Sequence, residues 1–163
     1  MSWKIPILLF VCLLSVSLGA CSIFLTGQRG DEGGEITGRF VKVTATAYCP
    51  CGACCGWKRN WRGQPVTKKG KPKVVGQTAS GTTARLGTIA ADTRYYPFGT
   101  IMYVPGYGYG RVEDTGGDIR GRSRLDLFYP DHRQAVRWGR QTLRVVVFPP
   151  GTPLIPHNAP PPQ

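Results

Sequence analysis

Acidic side chains are scarce in this 163-residue chain: nine Asp and Glu stand against 21 Lys and Arg, for a formal net charge of +12. Histidine is rarer still, at two residues. No Ser-His-Asp array, phosphate-binding glycine loop or His-Glu-x-x-His pair is present, which sets aside triad hydrolases, P-loop nucleotide enzymes and zincin-type peptidases. Long apolar runs are also missing. Residues 1–20, MSWKIPILLFVCLLSVSLGA, are interrupted by Pro6 and by serines, and a spanning helix needs roughly 20 predominantly apolar residues. The scarcity of carboxylates makes their placement informative. Three aspartates fall within residues 92–126: Asp92 in AADTRYYPFGT, Asp114 in RVEDTGGDIRG and Asp126 in SRLDLFY. Asp92 and Asp126 are flanked by apolar residues, Ile89-Ala90-Ala91 and Leu125, Leu127 and Phe128. A carboxylate in such a setting is costly to bury unless paired or protonated. Burial or a like-charged neighbour raises its pKa, and a raised pKa is what a general acid needs near neutral pH.

The leader has one lysine near its start, then an apolar run, then small residues, the layout of a bacterial secretory signal. It ends in Leu18-Gly19-Ala20-Cys21, which resembles a lipobox; on that reading Cys21 begins the mature chain and carries acyl chains that anchor it to a membrane. An ordinary signal peptide or an uncleaved anchor, with Cys21 a bystander, is the alternative. Ser22 rather than Asp follows, which by resemblance to the enterobacterial sorting rule favours the outer membrane, facing the periplasm. A strongly basic exported chain attracts anionic partners. Cell-wall glycan or lipid headgroups fit that compartment better than nucleic acid, and a merely solubilising surface is the bland alternative.

Of the six cysteines, Cys12 lies in the leader and Cys21 at its end; the other four are packed as Cys49-Pro50-Cys51-Gly52-Ala53-Cys54-Cys55. Export favours disulfides, and two local bridges among Cys49, Cys51, Cys54 and Cys55 are the leading expectation. A thiolate metal site wrapped by one loop, or a redox site, is the alternative.

Residues 21–38 read as a Gly-rich tether and residues 151–163, with five prolines, as a loose tail. The domain between, 39–150, is dominated by short strand signals. Phe40–Tyr48 alternates with period two; Thr88–Asp92, Thr100–Val104, Tyr109–Asp114, Arg124–Phe128 and Leu143–Phe148 follow, separated by glycine-rich turns. The Cys-rich loop and basic insert, 49–73, interrupt them as a long loop or basic hairpin. One short helix is predicted over Pro130–Gly139, with Asp131 at its first turn and Gly139 at its end. These signals predict a mainly β fold, a compact barrel with one short helix. His132 reads as a surface histidine, and Glu113 and Asp118 as exposed.

The strings TASGTTA (78–84), AADTRYYPFGT (90–100), MYVPGYGYGRVEDTGGDIRG (102–121) and RLDLFY (124–129), with VTATAY (43–48) upstream, together resemble the 3D domain, named for three aspartates and similar to the catalytic part of MltA-type lytic transglycosylases and small stationary-phase muralytic proteins. The Cys cluster and the basic insert depart from that pattern. The resemblance implies a six-stranded double-psi β-barrel, no cofactor, peptidoglycan glycan strands as partner, and a monomer. It implies cleavage of the β-1,4 bond between N-acetylmuramic acid and N-acetylglucosamine, with hydrolysis of the same bond or non-catalytic binding as alternatives. Carried over residue by residue, it makes Asp126 the general acid and base, with Asp114 and Asp92 stabilising oxocarbenium charge. Thr82, Thr83, Thr100, Gly116 and Gly117 are candidate sugar-binding residues. So are Tyr107 and Tyr109, whose rings could stack on sugar or pack into the core.

Overall fold

The computed structural model describes residues 38–162; the expected leader, the expected lipid site at Cys21 and all of the expected tether but Gly38 lie outside them. Eight strands and two short helices follow in order: β1 (Arg39–Tyr48), α1 (Gly52–Cys55), β2 (Trp57–Arg59), β3 (Pro65–Thr67), β4 (Thr88–Ala91), β5 (Ile101–Val104), β6 (Gly108–Asp114), β7 (Arg124–Phe128), α2 (His132–Trp138) and β8 (Gln141–Phe148). Six of the strands close a barrel in the order β1-β7-β4-β6-β5-β8, and β2 and β3 form a separate hairpin. Pairs β1·β7 and β4·β6 run parallel and the other barrel pairs antiparallel. The six-stranded β-barrel is the one expected. Among the described residues the helices number two rather than one, because the Cys loop contains a single turn, capped by Cys51 at its start and by left-handed Gly56 at its end.

Period-two alternation decides which side chains enter the barrel. Val43 and Ala45 of β1, Ile89 and Ala91 of β4, and Leu125 and Leu127 of β7 point inward and are essentially inaccessible. With Met102, Val104, Val112, Val145 and Val147 they form one apolar core. Their strand neighbours Thr46, Tyr48, Ala90, Asp126 and Phe128 therefore point outward, and on this side the outer surface carries the site. A smaller cluster of Tyr48, Ala90 and Phe128 packs there, with Cys55 and Ala84 against it.

Residues 151–162 are laid against the barrel instead of hanging loose. Tyr109 N–H donates to the His157 carbonyl at 3.0 Å, and the His157 ring packs edge-on against Tyr107. Ile155 and Ala159 cover the cluster of Ile101, Tyr109, Val146 and Phe148. The approach is so close that a Cβ on Gly108 would run into the His157 carbonyl. The tail lacks a regular apolar period because it docks through a few isolated side chains.

Candidate functional site

Four adjacent strands place one residue each in a row across the outside of the barrel. Thr46 of β1 is paired with Asp126 of β7, Asp126 with Ala90 of β4, and Ala90 with Asp114 of β6. Asp126 and Asp114 thus flank Ala90, two strand spacings apart, about 10 Å between backbones. The methyl of Ala90 is too small to fill that interval, and a cleft of about 260 Å³ opens over it. A β-bulge creates this register: Ile89 faces Val112, but Ala90 faces Asp114, skipping Glu113. Bulges re-aim side chains beside functional sites. Here Asp114 turns to the cleft and Glu113 turns into the protein, where it accepts from Thr88 Oγ1 at 2.9 Å and pairs with Arg85 at 3.0 Å. Glu113, expected to be exposed, is buried for that reason.

The two cleft carboxylates differ in environment. Asp126 accepts one side-chain hydrogen bond, from Thr46 Oγ1 at 2.8 Å. Burial raises its pKa from 3.8 to about 6; the Thr46 bond works against the rise and the charge of Asp114 adds to it. Asp114 accepts three hydrogen bonds: from the Tyr48 hydroxyl at 2.8 Å and from the amides of Ala79 and Thr115, each at 2.9 Å. Burial, and then the adjacent Asp114 charge, hold the Tyr48 phenol far above its ordinary pKa, so it remains a donor. The site therefore pairs a carboxyl poised to titrate near neutrality with one held by fixed donors. The remaining wall includes Trp57, whose indole N–H is tied to the Pro50 carbonyl at 2.8 Å, with Lys73, Gln77, Gly116 and Gly117.

Asp92 lies elsewhere. It is only 8% exposed and lines a neighbouring groove with Thr115, Gly116, Ile119 and Arg120. Its carboxylate takes Arg94 at 2.6 Å and the Gly121 amide at 2.7 Å. The Arg94 side chain, followed by the Gly121 amide, keeps its pKa well below the usual range. With its oxygens so engaged, Asp92 ties the 115–121 loop to the end of β4 and is not in the cleft.

The candidate sugar-binding residues divide in the same way. Gly116 and Gly117 line the cleft. Thr82 is exposed and bonded to Thr78 and Ser80, and Thr83 is exposed beside it; neither lines the cleft. Thr100 is buried and its hydroxyl closes a turn on the Pro97 carbonyl at 2.7 Å. Tyr107 and Tyr109 do not line the cleft. The Tyr107 ring is enclosed by Tyr129, Trp138 and His157, its hydroxyl donating to the Phe128 carbonyl at 2.9 Å, and Tyr109 packs between Tyr103 and Phe148.

The expected disulfides are not formed: Cys49, Cys51, Cys54 and Cys55 are all free. Cys49 and Cys54 bring their sulfurs to 3.6 Å, against about 2.05 Å for a bridge. His132, read as a surface residue, turns its Nδ1 to this cluster. Sequence reasoning missed it because the loop and α2 meet only in the fold. Thr46 and Tyr48 were also missed, although the alternation of VTATAY puts both on the face opposite Val43 and Ala45.

Residues 87–149 match the 3D domain family, a stretch that holds Asp92, Asp114 and Asp126. Over 115 residues, 70% of the chain, it is 32% identical to YabE of Bacillus subtilis (strain 168), named provisionally as a cell wall shaping protein. Over 79 residues, 46% of the chain, it is 37% identical to YocH of the same organism, named as a cell wall-binding protein. The alignments span about a quarter of each relative, 24% and 27%. With the family match, the barrel and the three aspartates in place, the chain is a 3D-domain protein.

Proposed function

We propose that the barrel cleaves peptidoglycan glycan strands as a lytic transglycosylase, with Asp126 as acid and base. The observation that carries this reading is geometric: Asp126, whose carboxylate takes one side-chain hydrogen bond, from Thr46, stands across Ala90 from Asp114 over the cleft, where burial raises its pKa to about 6. Protonated Asp126 gives its proton to the glycosidic oxygen between N-acetylmuramic acid and N-acetylglucosamine, and the C1–O bond breaks. The C6 hydroxyl oxygen of the muramic residue then bonds to C1 and its proton passes to the Asp126 carboxylate. The products are a 1,6-anhydro ring and a free hydroxyl on the neighbouring sugar, with no water consumed. Asp114 offsets the positive charge that develops at C1, and its three donors keep it in place. Trp57 supplies an aromatic wall for a sugar ring.

The names of the relatives point to the cell wall, which supports an extracytoplasmic site of action. The anchoring reading goes with it: cleavage before Cys21, lipid on that cysteine, and residues 21–38 as the tether of a monomeric domain to the outer membrane. Metabolic labelling with a fatty acid tests the anchor, since label should enter the wild type and not Cys21→Ala.

Digesting purified sacculi in ¹⁸O-water tests the reaction. Anhydro-muropeptides without ¹⁸O are expected. Reducing ends carrying ¹⁸O would make the protein a hydrolase, in which Asp114 activates water. Retention on sacculi with no fragments at any pH would make it a binding module, as the name of the second relative suggests, and would overturn the enzymatic reading.

A further inference from the structure

The Cys loop forms part of the cleft wall, and it also holds a cluster of donor atoms that the proposed cleavage does not use. His132 Nδ1 lies 3.6 Å from the sulfur of each of three cysteines, Cys49, Cys51 and Cys54. Cys49 and Cys54 are themselves 3.6 Å apart, and all four ligand atoms lie within 4.8 Å of one another. We propose that Cys49, Cys51, Cys54 and His132 bind one zinc ion in a closed tetrahedral site.

The distances favour an ion at the centre of the four atoms over any covalent pairing. With Zn–S near 2.3 Å and Zn–N near 2.05 Å, the edges of a tetrahedron are about 3.8 Å between sulfurs and about 3.55 Å between sulfur and nitrogen. A disulfide would draw two sulfurs to about 2.05 Å and leave the third with only Cys55, whose thiol is engaged by the Cys49 carbonyl. One nitrogen equidistant from three sulfurs is the arrangement a shared ion requires. Three thiolates and an imidazole are also a common structural zinc set. The backbone supports the sulfurs: the Cys54 amide donates to Cys51 Sγ at 3.4 Å, and α1 turns between Cys51 and Cys55 so that the first and last halves of the loop face the same point.

Cys55 is left out. Its thiol donates to the Cys49 carbonyl at 3.1 Å, and its side chain faces the glycan cleft with Tyr48 and Phe128. The fourth ligand comes instead from the first residue of α2. Binding is balanced by proton release: three thiols lose three protons to give thiolates, and neutral His132 coordinates through Nδ1 with its remaining proton on Nε2. All four positions are filled by protein, so the ion is structural and holds no open site for substrate. Its effect is mechanical. It fastens the loop carrying Pro50, Cys54 and Cys55, one wall of the cleft, to α2 on the barrel, and it keeps the thiols from oxidation in an exported protein.

The test is metal content of the full chain, purified without a metal column and supplied with zinc. One zinc per chain is expected, with X-ray absorption showing three sulfurs and one nitrogen, and cobalt substitution giving the intense thiolate-to-metal bands of a tetrahedral site. Cys51→Ser and His132→Ala should lose the metal to a chelator that leaves wild type and Cys55→Ser loaded. Circular dichroism identifies any variant that has failed to fold, and the wild-type measurements stand without the variants. A metal-free chain with four free thiols, a mass lower by four hydrogens from two disulfides, or zinc retained in His132→Ala and lost in Cys55→Ser would overturn the proposal.

Discussion

At the scale of single residues, the two aspartates that the sequence presents in similar apolar settings have opposite energetics. Asp126 has its pKa raised by burial, so its charged form is disfavoured in the fold. The stability supplied by the neutral carboxyl is fully present below about pH 4 and is lost as pH rises through about 6. Asp126→Asn removes that cost, and the variant is expected to be more stable than wild type by about 2–3 kcal/mol at pH 8 and equal to it near pH 3.5, as urea unfolding at the two pH values would show. Greater stability with loss of activity marks a residue held for function. Asp92 has the reverse sign. Arg94 and the Gly121 amide lower its pKa, so its contribution is present above about pH 4 and lost as pH falls towards the folded value. Thermal melts of Asp92→Asn should therefore fall below wild type at pH 7, with the gap narrowing in strong acid. If Asp126→Asn were less stable at pH 8, or if the Asp92→Asn deficit were the same at every pH, these assignments would be wrong.

Among the elements, β7 is the one on which the site depends. It pairs with β1 on one side and β4 on the other, with Leu125 and Leu127 in the core and Asp126 and Phe128 on the cleft side. Leu127→Ala leaves a cavity in the barrel interior and should cost about 2–5 kcal/mol, measured by denaturant unfolding; a loss under 1 kcal/mol would mean that the barrel can collapse around it. The strands were legible in the sequence because alternation of apolar and polar residues reports directly which face is buried: Arg124–Phe128 and the alternating stretch that ends at Tyr48 appear as read. The bulge between Ile89 and Ala90 was not legible, since one skipped residue alters no local pattern, yet it decides that Asp114 and not Glu113 faces the cleft. The motif likewise could not separate Asp92 from the other two, because the Arg94 fork and the loop amide that occupy it are features of the folded turn. Tyr107 and Tyr109 were equally compatible with stacking on sugar and with core packing, and burial beneath the docked tail decided for the core. His132 is the clearest case: its partners are some 80 positions away in the chain, and no periodicity links them.

For the whole molecule, the net charge of +12 acts at longer range than any single contact. The hairpin β2–β3 and the segment after it carry Lys58, Arg59, Lys68, Lys69, Lys71 and Lys73, and at its tip Trp61 is 85% exposed with Arg62 stacked 4.4 Å from its ring. Screening shortens such fields from about 10 Å at 0.1 M salt to about 3 Å at 1 M. Retention on anionic sacculi should weaken over that range, whereas the ratio of wild-type to Asp126→Asn turnover on a short muramic acid-containing glycan should not. Sedimentation assays at several salt concentrations check this; salt-independent retention would show that the positive field has no part in recognition.

Proton transfer by one carboxyl, Asp126, is the step on which the proposed cleavage rests. It is tested most directly by mass spectrometry of sacculi digested by wild type, Asp126→Asn and Asp114→Asn in parallel between pH 4 and 8. Anhydro-muropeptides are expected from wild type, with the rate falling as pH rises through about 6, a loss of about a hundredfold to ten-thousandfold in Asp126→Asn, and a smaller loss in Asp114→Asn, whose pH profile should move to lower pH because the Asp114 charge no longer adds to the rise. Anhydro products formed at wild-type rates by Asp126→Asn would contradict it.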